Sequence, residues 1–275
     1  GSIGLKEGDF LQGVCYYIDD TKPRIVKNIQ FVNGVNLPMD QKVLREDFEQ
    51  AEAIYPKNQI VIGNNKDSWL DFKCIDRICP IGEGSRVFIN YEKNFEIEDF
   101  VVDLVKVFSD DYNVTLVAVD ERPEDLTIIK TECDQLSMLN SHELLDEVAF
   151  AEQTLMIIKH LARQVEMGRN QILVIKNLQK YENLLTRYFV LDKKLSQEEA
   201  KIQSIQTIKK IFSLAKSTER GYALTIVAFN VLNQDIMDLC NCQIKMNMMG
   251  VDGSEVHLDC FNSYTLRPRT LLKPT

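Results

Sequence analysis

From about residue 74 onward, short apolar runs alternate with longer stretches in which apolar side chains recur every three or four positions. The short runs are typical of strands that a parallel sheet buries on both faces. They cover residues 86–90, 113–119, 171–175 and 223–229. The longer stretches are typical of amphipathic helices. Their apolar stripes are Ile97, Val101, Leu104, Val105 and Phe108; Val148, Ala151, Leu155, Ile158, Ala162 and Val165; and Ile205, Ile208, Phe212 and Ala215.

Ser196 and Glu199 have the spacing of a capping box, so the last of these helices is predicted to open at this point. Strands that alternate with helices of such length are joined by right-handed crossovers. The predicted fold class is therefore α/β, an open parallel sheet flanked by helices. Residues 243–248 and 255–260 are predicted to form a closing β-hairpin.

The first part of the chain, up to residue 73, has a different pattern of apolar and polar residues. Its short β-like pieces cover residues 10–18, 24–31 and 59–62, and the dipeptide Asn33-Gly34 follows the second of them. Asn-Gly supplies the positive φ that a tight hairpin turn needs. We therefore predict two units, a small β-rich connector over residues 1–73 and an α/β core over residues 74–275.

Composition and charge narrow the possible functions. The chain has 275 residues, of which 45% are hydrophobic and 27% charged, and its formal net charge is -9. An acidic chain is not expected to neutralise many phosphates, as nucleic-acid binding requires. No run approaches the roughly 18 apolar residues of a membrane span, and the sequence does not open with a signal peptide. We expect a cytoplasmic protein without membrane contact.

Seven cysteines are scattered along the chain, mostly in apolar runs, which favours reduced thiols over a disulfide framework. Cys240 and Cys242 alone have a spacing that suggests a metal site. Zinc takes four ligands, and no second Cys or His pair lies nearby in the sequence, so no metal site is predicted.

Chemistry in an open α/β sheet is found beyond the carboxyl ends of the strands. The segments to inspect are 90–98, 120–125, 176–180 and 230–235. Two specific motifs lie at or near such places. Residues 80–86 read PIGEGSR, and residues 120–127, directly after an apolar strand, read DERPEDLT.

These two motifs resemble those of the Rho transcription termination factors, and looser agreement extends over nearly the whole chain. The resemblance implies a RecA-like ATPase fold which, in that family, assembles into a hexameric ring that moves along RNA. It also implies that residues 1–73 contain only the end of the family's N-terminal RNA-binding barrel.

The nucleotide-binding loop departs from the family pattern. A P-loop needs Gly at its sharp turn, Lys for the phosphates and Ser or Thr for Mg²⁺. Here the Gly position is Glu96, the Lys position is Ile97 and the Ser or Thr position is Glu98, and Asn94 stands where the family has an earlier Lys of the loop. Carboxylates at a helix N-terminus would repel a polyphosphate, and they stabilise the helix end themselves. The loop is therefore predicted to be degenerate.

The strand that supports the metal in the family also departs from the family pattern here. The apolar run 171–175 should end in an Asp that supports Mg²⁺, but it ends in Lys176. We expect Lys176 to be solvated at the strand end, and the alternative is that it replaces the missing P-loop lysine. Glu121 matches the family's water-activating glutamate. We expect it to be retained without activity in a structural turn, with Pro123 in the first turn of the next helix.

The segments that contact RNA in the family lack the corresponding residues here. The regions that correspond to its pore loops carry no basic cluster and no Gly, and Lys193 and Lys194 are expected to be solvated. Arg267 and Arg269 are the candidates for arginine fingers.

We therefore expect a degenerate Rho-like domain, a pseudo-ATPase without ATP or Mg²⁺ as cofactor, that acts through a protein partner or a Rho-like oligomer. RNA binding would be weak or would need a further N-terminal domain. The alternative is an active RNA-dependent ATPase that terminates transcription and uses Mg²⁺ and ATP. A third possibility is a binding module in which the old nucleotide crevice takes an unrelated small ligand.

Overall fold

The computed structural model describes residues 5–16, 25–36, 47–64, 70–91, 97–133, 136–141, 146–249 and 255–272. The strands are β1 (Leu11–Tyr16), β2 (Ile25–Val32), β3 (Val35–Asn36), β4 (Gln59–Ile60), β5 (Ile81–Gly82), β6 (Arg86–Asn90), β7 (Asn113–Ala118), β8 (Ser137–Asn140), β9 (Gln171–Ile175), β10 (Lys216–Ser217), β11 (Ala223–Phe229), β12 (Cys242–Met249), β13 (Glu255–Leu258) and β14 (Tyr264–Thr265). The helices are α1 (Leu70–Ile78), α2 (Glu98–Asp111), α3 (Pro123–Glu132), α4 (Glu147–Glu166), α5 (Leu178–Leu191), α6 (Gln197–Ser213) and α7 (Gln234–Met237), and a 3₁₀ turn covers Pro268–Thr270.

A nine-stranded sheet forms the centre of the molecule. Its strand order is β13-β12-β6-β11-β9-β7-β8, with β10 beside β11 and β14 beside β12. The six strands from β12 to β8 run parallel to their neighbours. The strands β10, β13 and β14 are antiparallel to theirs. The predicted open parallel sheet and the closing hairpin are confirmed.

Successive residues of the central strands supply two separate cores, one on each face of the sheet. Val87 and Ile89 of β6 pack with α1, α2 and α3, whereas Phe88 between them packs with α4, α5 and α6. Phe88 and Phe212 meet edge to face, with ring centroids 5.0 Å apart. Because both faces are buried, the strands have the continuous apolar runs seen in the sequence.

The predicted helices are present among the described residues, and besides the four-residue α7 two longer helices occur that were not predicted from the sequence. The stripes assigned to α2, α4 and α6 face the two cores. Ser196 caps α6 in a full capping box with Glu199, and Pro123 occupies the first turn of α3, as predicted. The helices α1 and α5 are the additions.

The connector contains a three-stranded antiparallel sheet, β1-β2-β3. Asn33 and Gly34 have φ angles of 53° and 77°, which confirms the predicted hairpin turn. The Asn33 side chain accepts a hydrogen bond from the Phe10 amide at 2.8 Å, and so ties the turn to the start of β1. The division of the chain after residue 73 stays a prediction, and α1 spans that position.

A buried ion pair joins the connector to α4. Arg163 and Glu166 have almost no exposed side-chain surface and lie 2.8 Å apart. Glu166 also contacts Lys6 at 3.1 Å and accepts a hydrogen bond from the Phe48 amide. Buried charges are stable only when they are paired, so this contact fixes the connector against the core. Within the described ranges, no helix is both long enough and apolar enough to cross a membrane.

The capping box gives a test of local stability. We expect Ser196→Ala to lower the free energy of unfolding by about 1 kcal/mol, because the Glu199 amide loses its acceptor and the Glu199 carboxylate loses the hydroxyl that donates to it. Urea denaturation followed by circular dichroism measures the change. Ser213→Ala is the matched control, since Ser213 bonds only to a carbonyl of its own helix. An equal loss in both variants would contradict the role of the cap.

Candidate functional site

The candidate site lies at the carboxyl edge of the sheet, where the turns after β6, β7 and β9 meet. Glu98 opens α2 after β6, Glu121 precedes α3 after β7, and Lys176 directly follows β9. Asp125 lies in the first turn of α3. The Lys176 amide still bonds to the Val117 carbonyl at 3.1 Å, so the position of its side chain is set by the sheet itself.

Lys176 is the centre of this site. Only 2% of the residue is exposed. Its ammonium group lies 3.1 Å from a carboxylate oxygen of Glu121 and 3.2 Å from one of Glu98. A third carboxylate oxygen, from Asp125, is 3.9 Å away. A buried ammonium is costly unless opposite charges surround it, and these three side chains supply them.

Two further cations border the cluster. Lys180 contacts the other oxygen of Glu121 at 2.9 Å and donates to the Asp120 carbonyl at 2.7 Å. Arg122 contacts Asp125 at 3.2 Å. The three carboxylates of the cluster are thus matched by three cationic side chains. The site is close to electrical neutrality without any bound ion.

Tyr91, directly after β6, belongs to the same environment. Burial, together with the nearby carboxylates of Glu121 and Glu98, raises the pKa of its hydroxyl to about 12. The phenol is therefore protonated at neutral pH and adds no further negative charge.

The spacing of the three carboxylates is that of a metal site. One oxygen each from Glu98, Glu121 and Asp125 lies within 4.8 Å of the others. Hard divalent cations favour such an oxygen set. The Lys176 ammonium contacts all three side chains, so the cation among them belongs to the protein itself.

The structure corrects the expectation for Lys176. A solvated lysine was expected there, and this expectation is wrong, because the ammonium is buried among carboxylates. Glu98 begins α2, within the region where the helix was predicted to start, but its carboxylate pairs with Lys176. Ile97, at the P-loop lysine position, is 2% exposed and packs in the core under α2. Asn94 and Glu96 lie outside the described residues.

Other candidates lie away from this cluster. Arg267 stacks over the Tyr55 ring at 3.9 Å, beside the connector. It follows β14, which pairs with the start of β12, so Arg267 and Arg269 belong to the amino edge of the sheet. Lys193 pairs with Asp192 at 2.6 Å, and Lys194 donates to the Leu191 carbonyl.

Sequence reasoning missed Asp125 and Lys180 as members of the site. The DERPEDLT motif could have identified Asp125. Asp125 is the third residue of α3, so its carboxylate faces the same turn as the residues that precede the helix. Lys180 lies one helical turn beyond Lys176. That spacing brings its side chain back over the strand end.

The described cysteine side chains form no metal site. Six cysteines are free thiols, and the thiol of Cys240 bonds to the Cys242 carbonyl at 2.9 Å. Burial raises the pKa of Cys240 to about 11, so its thiol is protonated at neutral pH.

Sequence comparison finds relatives, although no family model matches the chain. The chain is 24% identical over 231 residues to transcription termination factor Rho from Streptobacillus moniliformis, covering 82% of this chain and 54% of that protein. It is 22% identical over 268 residues to Rho from Aquifex aeolicus, covering 94% of this chain and 59% of that protein. The chain thus spans little more than half the length of these relatives.

Two solved structures share the fold. One is the ATP synthase subunit NeqB from Nanoarcheaum equitans, with a TM-score of 0.62 and 12% identity over 87% of this chain and 62% of that one. The other is an ATPase from the type III secretion system of pathogenic bacteria, with a TM-score of 0.62 and 11% identity over 87% of this chain and 74% of that one. The RecA-like α/β class predicted from the sequence is confirmed.

The role of Lys176 can be tested by removing its charge. We expect Lys176→Met to lower the free energy of unfolding by about 3–5 kcal/mol, because three buried carboxylates lose their counter-charge. Millimolar Mn²⁺ should raise the melting temperature of this variant and leave that of the wild type unchanged. Differential scanning calorimetry measures both effects.

Lys180→Met is the matched control, since Lys180 is partly exposed and its loss should cost no more than about 1 kcal/mol. Equal stability of the two variants, or an equal response of wild type and Lys176→Met to Mn²⁺, would contradict the central place of Lys176.

Proposed function

We propose that this chain, a divergent relative of the Rho termination factors with a RecA-like ATPase fold, no longer hydrolyses ATP and acts in transcription through protein contacts. The single observation that carries the proposal is the buried ammonium of Lys176 among Glu98, Glu121 and Asp125. Three features support the proposal. They are the residues at the expected Mg²⁺ position (the metal side of the site), the residues at the expected phosphate position (its phosphate side) and the net charge of the molecule.

The metal side does not fit Mg²⁺. In a P-loop ATPase, the metal bridges the phosphates and is held by a Ser or Thr hydroxyl and a strand-end Asp. Glu98 and Lys176 occupy these positions. A divalent ion among the carboxylates would have to displace a buried ammonium that is attached to the chain, and the displaced charge would lose its partners.

The phosphate side does not fit ATP. The P-loop lysine position is Ile97, which packs in the core, and the hydroxyl position is the carboxylate of Glu98. Arg122 and Lys180 are already paired with Asp125 and Glu121. A polyphosphate at this edge would therefore meet paired charges and a carboxylate at the helix N-terminus, where ATPases offer free amides and a free cation.

The charge of the molecule favours protein partners over RNA. The net charge is -9, and Lys193 and Lys194, near the expected pore region, have partners within the chain. The second candidate function is an active RNA-dependent ATPase. The observation that favours it is Glu121, which keeps the position of the family's water-activating glutamate beside a cation.

An ATPase assay decides between the two candidates. We expect no phosphate release above background with millimolar ATP, Mg²⁺ and RNA, because neither metal nor phosphates have free ligands. Aquifex aeolicus Rho serves as the positive control. Glu121→Gln is the matched variant, and it should give the same background as the wild type. Activity that Glu121→Gln abolishes would establish the active enzyme instead.

Restoration of the P-loop residues tests the metal side separately. The triple variant Glu96→Gly, Ile97→Lys, Glu98→Thr should remain inactive, because Lys176 still occupies the metal-side position. The same assay measures it. Hydrolysis by this variant would show that Lys176 does not block the site.

RNA binding provides an independent test. At about 0.15 M salt, we expect a dissociation constant no tighter than about 10 µM for a labelled single-stranded RNA, because the net charge of -9 opposes a polyanion. Fluorescence anisotropy measures it at two salt concentrations. Tight binding with a steep salt dependence would favour the second candidate function.

A further inference from the structure

A second site lies at the opposite, amino edge of the sheet. There the starts of β7, β8 and β9 and one side of α4 line an open cavity of about 300 Å³. This is the lower end of the range for small-molecule sites. Thr115, Ser137 and Gln171 line it from the sheet, and His160 and Gln164 line it from α4. No residue of the carboxylate cluster around Lys176 takes part.

A chain of hydrogen bonds fixes the α4 side of the cavity. His160 Nδ1 lies 2.8 Å from the Gly8 carbonyl, which can only accept, so Nδ1 donates and the neutral ring accepts at Nε2. Gln164 Nε2 lies 2.9 Å from that Nε2. The Gln164 carbonyl oxygen in turn accepts from Arg169 Nη1 at 2.7 Å. The side chains are therefore held in place before any ligand binds.

The remaining polar groups of the cavity can all donate hydrogen bonds, and Arg169 among them can only donate. Arg169 makes its hydrogen bonds within the described residues through Nη1 alone, which leaves Nη2 and Nε for a ligand. The side chains of Asn113, Thr115 and Ser137 also lack a hydrogen-bond partner in the described part of the chain. Among the described lining residues there is no Asp or Glu. Such a surface favours an anion.

The charge of the cavity selects a particular kind of anion. Arg169 is its one fixed cation among the described lining residues, and its planar guanidinium matches a carboxylate. Gln164 lies in the last turn of α4, where the helix dipole is negative and opposes a doubly charged phosphate more strongly than a singly charged carboxylate. Leu161 offers an apolar contact for the body of the ligand.

We propose that this cavity binds a small monocarboxylate with a short apolar body, and that Arg169 holds the carboxylate. The site would also connect the two units of the chain. Arg169 Nη1 lies 3.4 Å from the carbonyl of Asn33 in the connector turn, and His160 contacts Gly8. A ligand on Arg169 therefore adds a contact at the junction between connector and core. This inference does not depend on the loss of ATP hydrolysis.

Titration of the ¹⁵N-labelled chain with 3-methylbutanoate, followed by amide shifts in NMR spectra, tests the proposal. We expect saturable shifts at residues around 113–115, 137 and 169–171. The neutral isostere 3-methylbutanamide and inorganic phosphate should give no saturable shift there.

Two variants act on different properties of the cavity. Arg169→Gln should weaken binding about tenfold or more, because a charge-assisted hydrogen bond is lost. Ser137→Phe, on the edge strand β8, should abolish binding by filling the space without changing charge. Arg77→Gln on α1, on the other face of the sheet, is the matched control and should bind like the wild type. Melting temperatures of all variants confirm that they are folded.

Each contrary result would overturn the proposal. These results are no saturable shift with 3-methylbutanoate, equal affinity in Arg169→Gln and the wild type, and equal binding of the amide. Binding of phosphate as tight as that of the carboxylate would overturn the assignment of a monoanion.

Discussion

The arrangement of the carboxyl edge depends on one constraint, that a buried ammonium must be surrounded by negative charge. Lys176 follows β9 at the middle of the sheet, where only 2% of the residue is exposed. The neighbouring turns therefore each have to bring a carboxylate, and Glu98, Glu121 and Asp125 come from the starts of α2 and α3 and the turn between β7 and α3. The turns are thus joined to one another by charge.

Much of the fold follows from local pattern, because strands buried on both faces and amphipathic helices have clear periodicities. The strands at 86–90, 171–175 and 223–229 were predicted to the residue. The helix α5 was not predicted, although Tyr181, Leu184, Leu185 and Tyr188 have helical spacing. The pairing of β12 with β6 is a long-range contact, and no local signal specifies it.

The site could be predicted only in part, for a physical reason. The sequence shows which residues stand at strand ends, and the family resemblance implies an acid at the position of Lys176. It does not show whether such a side chain points outward or inward, since that depends on the charges that other turns bring to it. A lone lysine at a strand end is usually solvated, but three carboxylates on adjacent turns make burial the stable outcome. Asp125, which was not identified from the sequence, is one of those three.

A tethered cation differs from a bound metal in a way that bears on mechanism. A metal arrives with the nucleotide and leaves with the product, so the charge at an ATPase site alternates during each cycle. The Lys176 ammonium is covalently part of the chain, and its contacts with Glu98 and Glu121 are present at all times. No ligand has to be bound to neutralise the carboxylates, and no hydrolysis step removes the neutralising charge. Under the proposed function, the carboxyl edge is thus held in a single conformation. An edge with one conformation can offer a protein partner a constant surface, whereas an ATPase cycle needs an edge that changes conformation.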